Sequence, residues 1–133
     1  MTTTGIQIII VAHGDLACSL KRVVELIAGP QDDVVCLEVA PGMDLGLLKA
    51  RIAELIASGG PTLVLVDLFG GTPWNLAANV ARYHESVRVV SGVNLPMLLE
   101  TVLGREGAEI SGLARLALDT GRQSVNIAGE VGQ

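Results

Sequence analysis

The chain has 133 residues, 50% hydrophobic and 2% aromatic, with a formal net charge of -5 at pH 7. That length predicts one domain, residues 1–133, with a sizeable core. The acidic balance and the lack of a basic run exclude a nucleic-acid surface, and no apolar stretch reaches the roughly 18 residues of a membrane helix.

In chain order, Ile6 to Ala12 is a β-branched aliphatic run that reads as a buried strand and ends at His13. Asp15 is placed to cap a helix whose apolar face is Leu16, Leu20, Val23, Val24 and Ile27, stopped by Gly29-Pro30. Val34 to Val39 is a second strand, broken at Pro41-Gly42. Asp44 caps a second helix along Leu45, Leu48, Ile52, Leu55 and Ile56, ended by Gly59-Gly60-Pro61. Thr62 to Asp67 is the third strand, and Gly70-Gly71-Thr72-Pro73 then opens a helix with Thr72 as N-cap and Pro73 as first helical residue. Val87 to Val90, a helix from Pro96 to about Gly104, a helix capped by Ser111 that ends near Gly121, and a short strand Ser124 to Ile127 complete the chain. Strands alternating with helices predict an α/β fold, an open and mostly parallel sheet flanked by helices.

In such sheets the crevice lies beyond the carboxyl ends of the strands, where strand order reverses. His13, Asp67 and the Ser91 to Asn94 loop all fall at that edge. An imidazole attacks activated phosphorus without a metal, and a carboxylate on its other nitrogen fixes the tautomer and stabilises the charged ring. The glycine turn and the helix that follows direct backbone N–H groups and a positive dipole end at an anion. The predicted catalytic pair is therefore His13 and Asp67, with Thr72, Gly71 and Gly14 as phosphate-binding residues, no metal and no organic cofactor. The competing reading is a non-catalytic regulatory or binding module that holds a phosphorylated ligand at the same site.

Other chemistries fit less well. A dinucleotide fingerprint and a P-loop are absent. A receiver domain needs acids at the end of the first strand, where Val11-Ala12-His13 stands, and the His13 to Ser19 loop is a poor flavin phosphate loop. A Cys-x5-Arg phosphatase loop from Cys18 would need arginine at position 24, which is Val24. The two cysteines, Cys18 and Cys36, imply no disulfide framework; the first reads as a small buried side chain and the second as strand core. With one plausible histidine ligand, zinc is not expected. His84 reads as a surface residue, and Glu100, Arg105 and Arg122 as solvated helix charges. The first residues lack the basic n-region of a signal peptide, so the expected location is the cytoplasm.

Five stretches in order, Ile10-Val11-Ala12-His13-Gly14, Pro41-Gly42, Leu65 through Asn75, Gly92-Val93-Asn94-Leu95-Pro96-Met97 and Thr120-Gly121-Arg122, resemble the IIA domain of the mannose family of the bacterial phosphoenolpyruvate:sugar phosphotransferase system. The resemblance implies that His13 is phosphorylated by the phosphocarrier protein phospho-HPr and passes the group to a IIB component, with Asp67 paired to the ring and Thr72 beside the phosphate. It implies a IIB partner on a separate chain, membrane IIC and IID components served indirectly, and a homodimer exchanging a C-terminal strand, here Ser124 to Ile127. Leu68-Phe69 stands where the mannose branch resembles Thr-Trp, so the sugar does not follow from the resemblance. The Gly-Gly-Thr-Pro-Trp-Asn turn argues against the related subunit that serves dihydroxyacetone kinase.

Overall fold

The computed structural model describes residues 5–130. Among them, four strands, β1 (Gln7–His13), β2 (Val34–Val39), β3 (Thr62–Val66) and β4 (Val87–Val90), form one sheet in the order β2-β1-β3-β4. All three pairings are parallel, with Ile10 opposite both Cys36 and Leu65. Five helices accompany them: α1 (Leu16–Ala28), α2 (Leu45–Gly59), α3 (Thr72–Ala81), α4 (Leu95–Gly104) and α5 (Ile110–Gln123).

The unbroken aliphatic runs of β1 and β3 are explained by burial on both faces. Ile8, Ile10, Ala12, Leu63 and Leu65 pack with Ala17 and Val24 of α1, Met97, Leu98 and Val102 of α4, and Leu113 and Ala117 of α5. Ile9, Val11, Val64 and Val66 face the other way, onto Leu48, Ile52 and Ile56 of α2 and Ala77 and Val80 of α3. α4 and α5 approach closely because position 121 is glycine. A Cβ there would lie 2.6 Å from the Met97 methyl, and the Asn94 amide donates to the Gly121 carbonyl at 3.2 Å.

Several boundaries behave as their residues dictate. Asp44 Oδ1 accepts the N–H groups of Gly46 and Leu47, and Asn94 Oδ1 accepts that of Met97, so both helices start on a side-chain cap. Others differ from the sequence reading. Asp15 precedes α1 without a capping bond, Glu109 rather than Ser111 precedes α5, and Gly71 rather than Thr72 is the N-cap of α3. The predicted strand Ser124 to Ile127 is not one: Ser124 follows α5 in a turn, and 125–127 run without a ladder partner among the described residues.

Three side-chain expectations also differ. Cys18 and Cys36 are joined in a disulfide, with their Cα atoms 5.0 Å apart. Their sequence positions carry no distance information, but α1 packs onto β2 and brings the third residue of the helix over the middle of the strand. Arg105 is not a solvated charge. It follows the last residue of α4, is 2% exposed, and donates to the carbonyls of Ile6, Asp32 and Asp33 and to Gln31 Oε1. Burial pulls its guanidinium below the ordinary value, opposed by the charges of Asp33 and Asp32. His84, expected on the surface, is half-buried.

Candidate functional site

From β1 the chain goes outward to β2 on one side, then returns to β3 on the other side of β1. The strand order therefore reverses between β1 and β3, and the carboxyl ends of those two strands flank the crevice. His13 is the last residue of β1, and Asp67 follows the last residue of β3. Separated by 54 positions in sequence, they meet there.

His13 Nδ1 lies 2.9 Å from Asp67 Oδ2, and the same oxygen accepts the His13 backbone N–H at 3.0 Å. Burial by itself pushes the Asp67 carboxyl up, but the His13 backbone N–H, the imidazole bond, the His13 charge and Asp67's own backbone outweigh it, so the pKa lies below the ordinary value. An ionised carboxylate offers no proton, so the hydrogen sits on Nδ1 and the lone pair on Nε2. The imidazole is 50% exposed and the carboxylate 15%. Asp67 Oδ1 is buried without a hydrogen-bond partner among the described residues, which leaves His13 as the carboxylate's partner. The structure thus joins a shielded acid to a half-exposed ring.

The neighbours are set by backbone requirements. Gly14 has φ +62°, a left-handed conformation that favours glycine, and its N–H donates to the Val39 carbonyl at 2.8 Å. Gly71 matters for proximity rather than for φ. A Cβ there would come within 3.4 Å of both the imidazole Cε1 and the Leu68 carbonyl, and the Gly71 N–H is held by that carbonyl at 3.1 Å. Both glycines shape the site with their N–H groups already engaged. Thr72 is the first residue of α3, and Asn75 makes the first helical bond, to the Gly71 carbonyl. The N–H groups of Thr72 and Trp74 thus sit in the first helical turn, which offers no intrahelical acceptor. Val93 donates to the Val66 carbonyl at 3.0 Å, which ties the Ser91 to Asn94 loop to the same edge.

His13, Gly14 and Thr72 share a 470 Å³ cavity with Val39, Pro41 and Met43. Residue chemistry alone does not point to its β2–α2 wall. The signal for that wall is positional: β2 is the neighbour of β1, so the loop after it must reach the same edge. Trp74 stacks at a tilt on Phe69, centroids 4.8 Å apart and planes at 55°.

The family described as PTS system fructose IIA component, EIIA-man, matches residues 7–118. The chain is 36% identical over 125 residues to the mannose-specific EIIAB component of the phosphotransferase system from Escherichia coli K12, covering 90% of this chain and 38% of that protein. It is 30% identical over 128 residues to the fructose-specific EIIA component from Bacillus subtilis 168, covering 94% and 88%. The crystal structure of a phosphotransferase system component EIIA from Streptococcus agalactiae superposes with a TM-score of 0.87 at 32% identity, covering 92% of this chain and 96% of that one. A parallel sheet with this strand order, a paired histidine and acid at its switch point, and these likenesses converge: the chain belongs to the mannose-type EIIA family of the sugar phosphotransferase system.

Proposed function

We propose that this protein is a cytoplasmic phosphocarrier that accepts a phosphoryl group on His13 from phospho-HPr and passes it to a IIB component. The observation that carries the proposal is the 2.9 Å contact of His13 Nδ1 with Asp67 on a half-exposed ring that lines the cavity; in the neutral ring this contact keeps the hydrogen on Nδ1 and the lone pair on Nε2. The Nε2 lone pair attacks phosphorus, and the bond from phosphorus to the donor breaks as the new N–P bond forms. Asp67 keeps the reactive tautomer and balances the charge on the ring. The Thr72 hydroxyl and the first turn of α3 face the phosphoryl oxygens, and the helix dipole contributes about 0.3–1 kcal/mol, weak enough to leave the group transferable. No step needs a metal or an organic cofactor.

An apolar collar supports transfer between proteins. Met43 and Leu45 in the cavity wall, Leu16 at the start of α1 and Leu68 beside Asp67 are all exposed. Wild-type protein incubated with phosphoenolpyruvate and the general phosphotransferase proteins is expected to gain acid-labile, base-stable phosphate. Saturable binding of a phosphorylated ligand with no covalent phosphate would instead establish a binding module. Within that assay, Asp67→Asn tests the charge alone. Its amide oxygen can occupy the Oδ2 position and keep both bonds, so acceptance is expected to slow about tenfold, ~1.4 kcal/mol in the barrier. Asp67→Ala also frees the ring and should cost about a hundredfold. Wild-type rates in both variants would reduce Asp67 to a structural role.

The active unit is a homodimer in this proposal. β4 is an edge strand, and Val125 and Ile127, 78% and 64% exposed, flank the polar Asn126 in a segment without a ladder partner among the described residues. A 450 Å³ cavity lined by Phe69, Val90, Ala114 and Leu118 adjoins that edge. Exposed apolar edges recruit a strand from another copy. Sedimentation equilibrium should find a dimer for the full chain and a monomer for a chain ended at Gln123. A monomeric full chain, or an unchanged dimer after truncation, rules the exchange out.

A further inference from the structure

The disulfide has a position that bears on the site. Cys18 lies in the first turn of α1, five residues after His13. Cys36 lies in β2, three residues before Val39, whose carbonyl holds the Gly14 N–H at 2.8 Å. The covalent link and that hydrogen bond close a ring through Gly14, Asp15, the start of α1 and the last half of β2. Gly14 and Val39 are both walls of the His13 cavity. Both sulfur-bearing residues are half-buried rather than sealed, and β2 is an edge strand, so a small reagent can reach the bond.

We propose that Cys18 and Cys36 form a reversible dithiol–disulfide site, taking low-molecular-weight disulfides as oxidant, whose state sets the order of the backbone that walls the His13 cavity. Cys18 is the attacking group, since the free N–H groups of a first helical turn favour a thiolate. Its thiolate attacks one sulfur of the small disulfide and expels one small thiolate, leaving a mixed disulfide. The Cys36 thiolate then attacks the Cys18 sulfur and expels the second. Two protein thiols lose two electrons and two protons in total, and the small disulfide becomes two thiols. A cytoplasmic thiol pool runs the reaction backwards. The closed ring holds Gly14 to Cys18 against β2; the open one leaves the Gly14–Val39 hydrogen bond and local packing to do so.

The link from this site to phosphate acceptance rests on the His13 reading above. The experiment equilibrates full-length protein in buffers of graded reduced and oxidised glutathione. Free thiols are counted by alkylation and mass, amide exchange is followed over residues 14–18 and 36–39, and His13 labelling is timed. Wild-type protein should lose both thiols together, while Cys36→Ser accumulates glutathione on Cys18. Exchange at residues 14–18 should be at least about threefold slower in the oxidised form. Labelling should be at least about threefold faster there, because the acceptor loop is held ready. Thiols that persist at every ratio, or equal exchange in the two states, overturn the proposal. Labelling that proceeds equally in both states overturns its coupling to phosphate acceptance. Absence of labelling in either state counts against the His13 reading, while the thiol and exchange data still decide the redox site.

Discussion

His13→Gln is expected to abolish phosphate acceptance while leaving the fold in place. Glutamine is close to histidine in reach, and its amide can still donate to Asp67 Oδ2, the atom that now faces Nδ1 at 2.9 Å. What it lacks is a nitrogen lone pair able to attack phosphorus, since the amide lone pair is delocalised into the carbonyl. The site is half-exposed, so stability should change by no more than about 0.5 kcal/mol. The measurement is transfer of labelled phosphate from phosphoenolpyruvate through the general proteins, with a urea melt of the same preparation. Labelling of the variant at the wild-type level would move the acceptor to another residue and end the account given for Asp67 and Thr72. Loss of labelling together with loss of the urea transition would show that the change acted on folding, and His13→Asn would then be needed to separate the two. The expected pattern, zero label on a protein that unfolds as the wild type does, assigns the chemistry to one nitrogen.

The legibility of this site follows from where strong local signals coincide with a topological rule. Ile6 to Ala12 and Thr62 to Val66 are aliphatic runs that can only be buried strands in a chain of this length, and parallel α/β sheets place function at their carboxyl ends. His13 and Asp67 each terminate such a run, so their meeting was readable without contacts. Thr72 as N-cap was not: a serine-like side chain before Pro73 suggests a cap, yet the glycine before it takes that position and Thr72 enters the helix. Gly14 and Gly71, expected to bind phosphate, lie next to His13 with their N–H groups engaged by the Val39 and Leu68 carbonyls, the first of them an acceptor on β2 that sequence position does not reveal. Cys18, Cys36 and Arg105 were misread for a shared reason. Each acquires its role from a long-range contact, and composition or spacing assigns a default environment to a residue whose partner lies in another element. The unpaired 125–127 segment shows the same limit, since a strand needs a neighbour and the sequence alone does not say whose.

Arg105→Ala should produce the largest loss of stability of any single change considered, about 3–5 kcal/mol, because it strips a buried donor from four acceptors at once. The guanidinium sits at the end of α4 and reaches Ile6 O and Asp33 O at 3.1 Å each, Gln31 Oε1 at 3.4 Å and Asp32 O. It therefore pins the entry to β1 and the turn into β2, where Asp33 adopts φ +56° and its carbonyl also accepts the Ile8 N–H at 2.9 Å. Alanine leaves the buried Ile6 carbonyl and the part-buried acceptors of the β2 turn without a charged donor, the buried one costing about 1–3 kcal/mol before relaxation. Lysine keeps a charge but not the planar fork, so Arg105→Lys should fall between alanine and wild type. A domain of this size has roughly 5–15 kcal/mol in total, so the alanine variant should show a lower urea midpoint with an unchanged slope. A loss below about 1 kcal/mol would mean that water or a shifted side chain replaces the guanidinium. Every contact of Arg105 lies at the amino ends of the strands, opposite the edge that carries His13 and Asp67. Labelling per folded molecule should therefore equal that of wild type, and this separates the variant from His13→Gln, which acts on the opposite edge and leaves the melt alone.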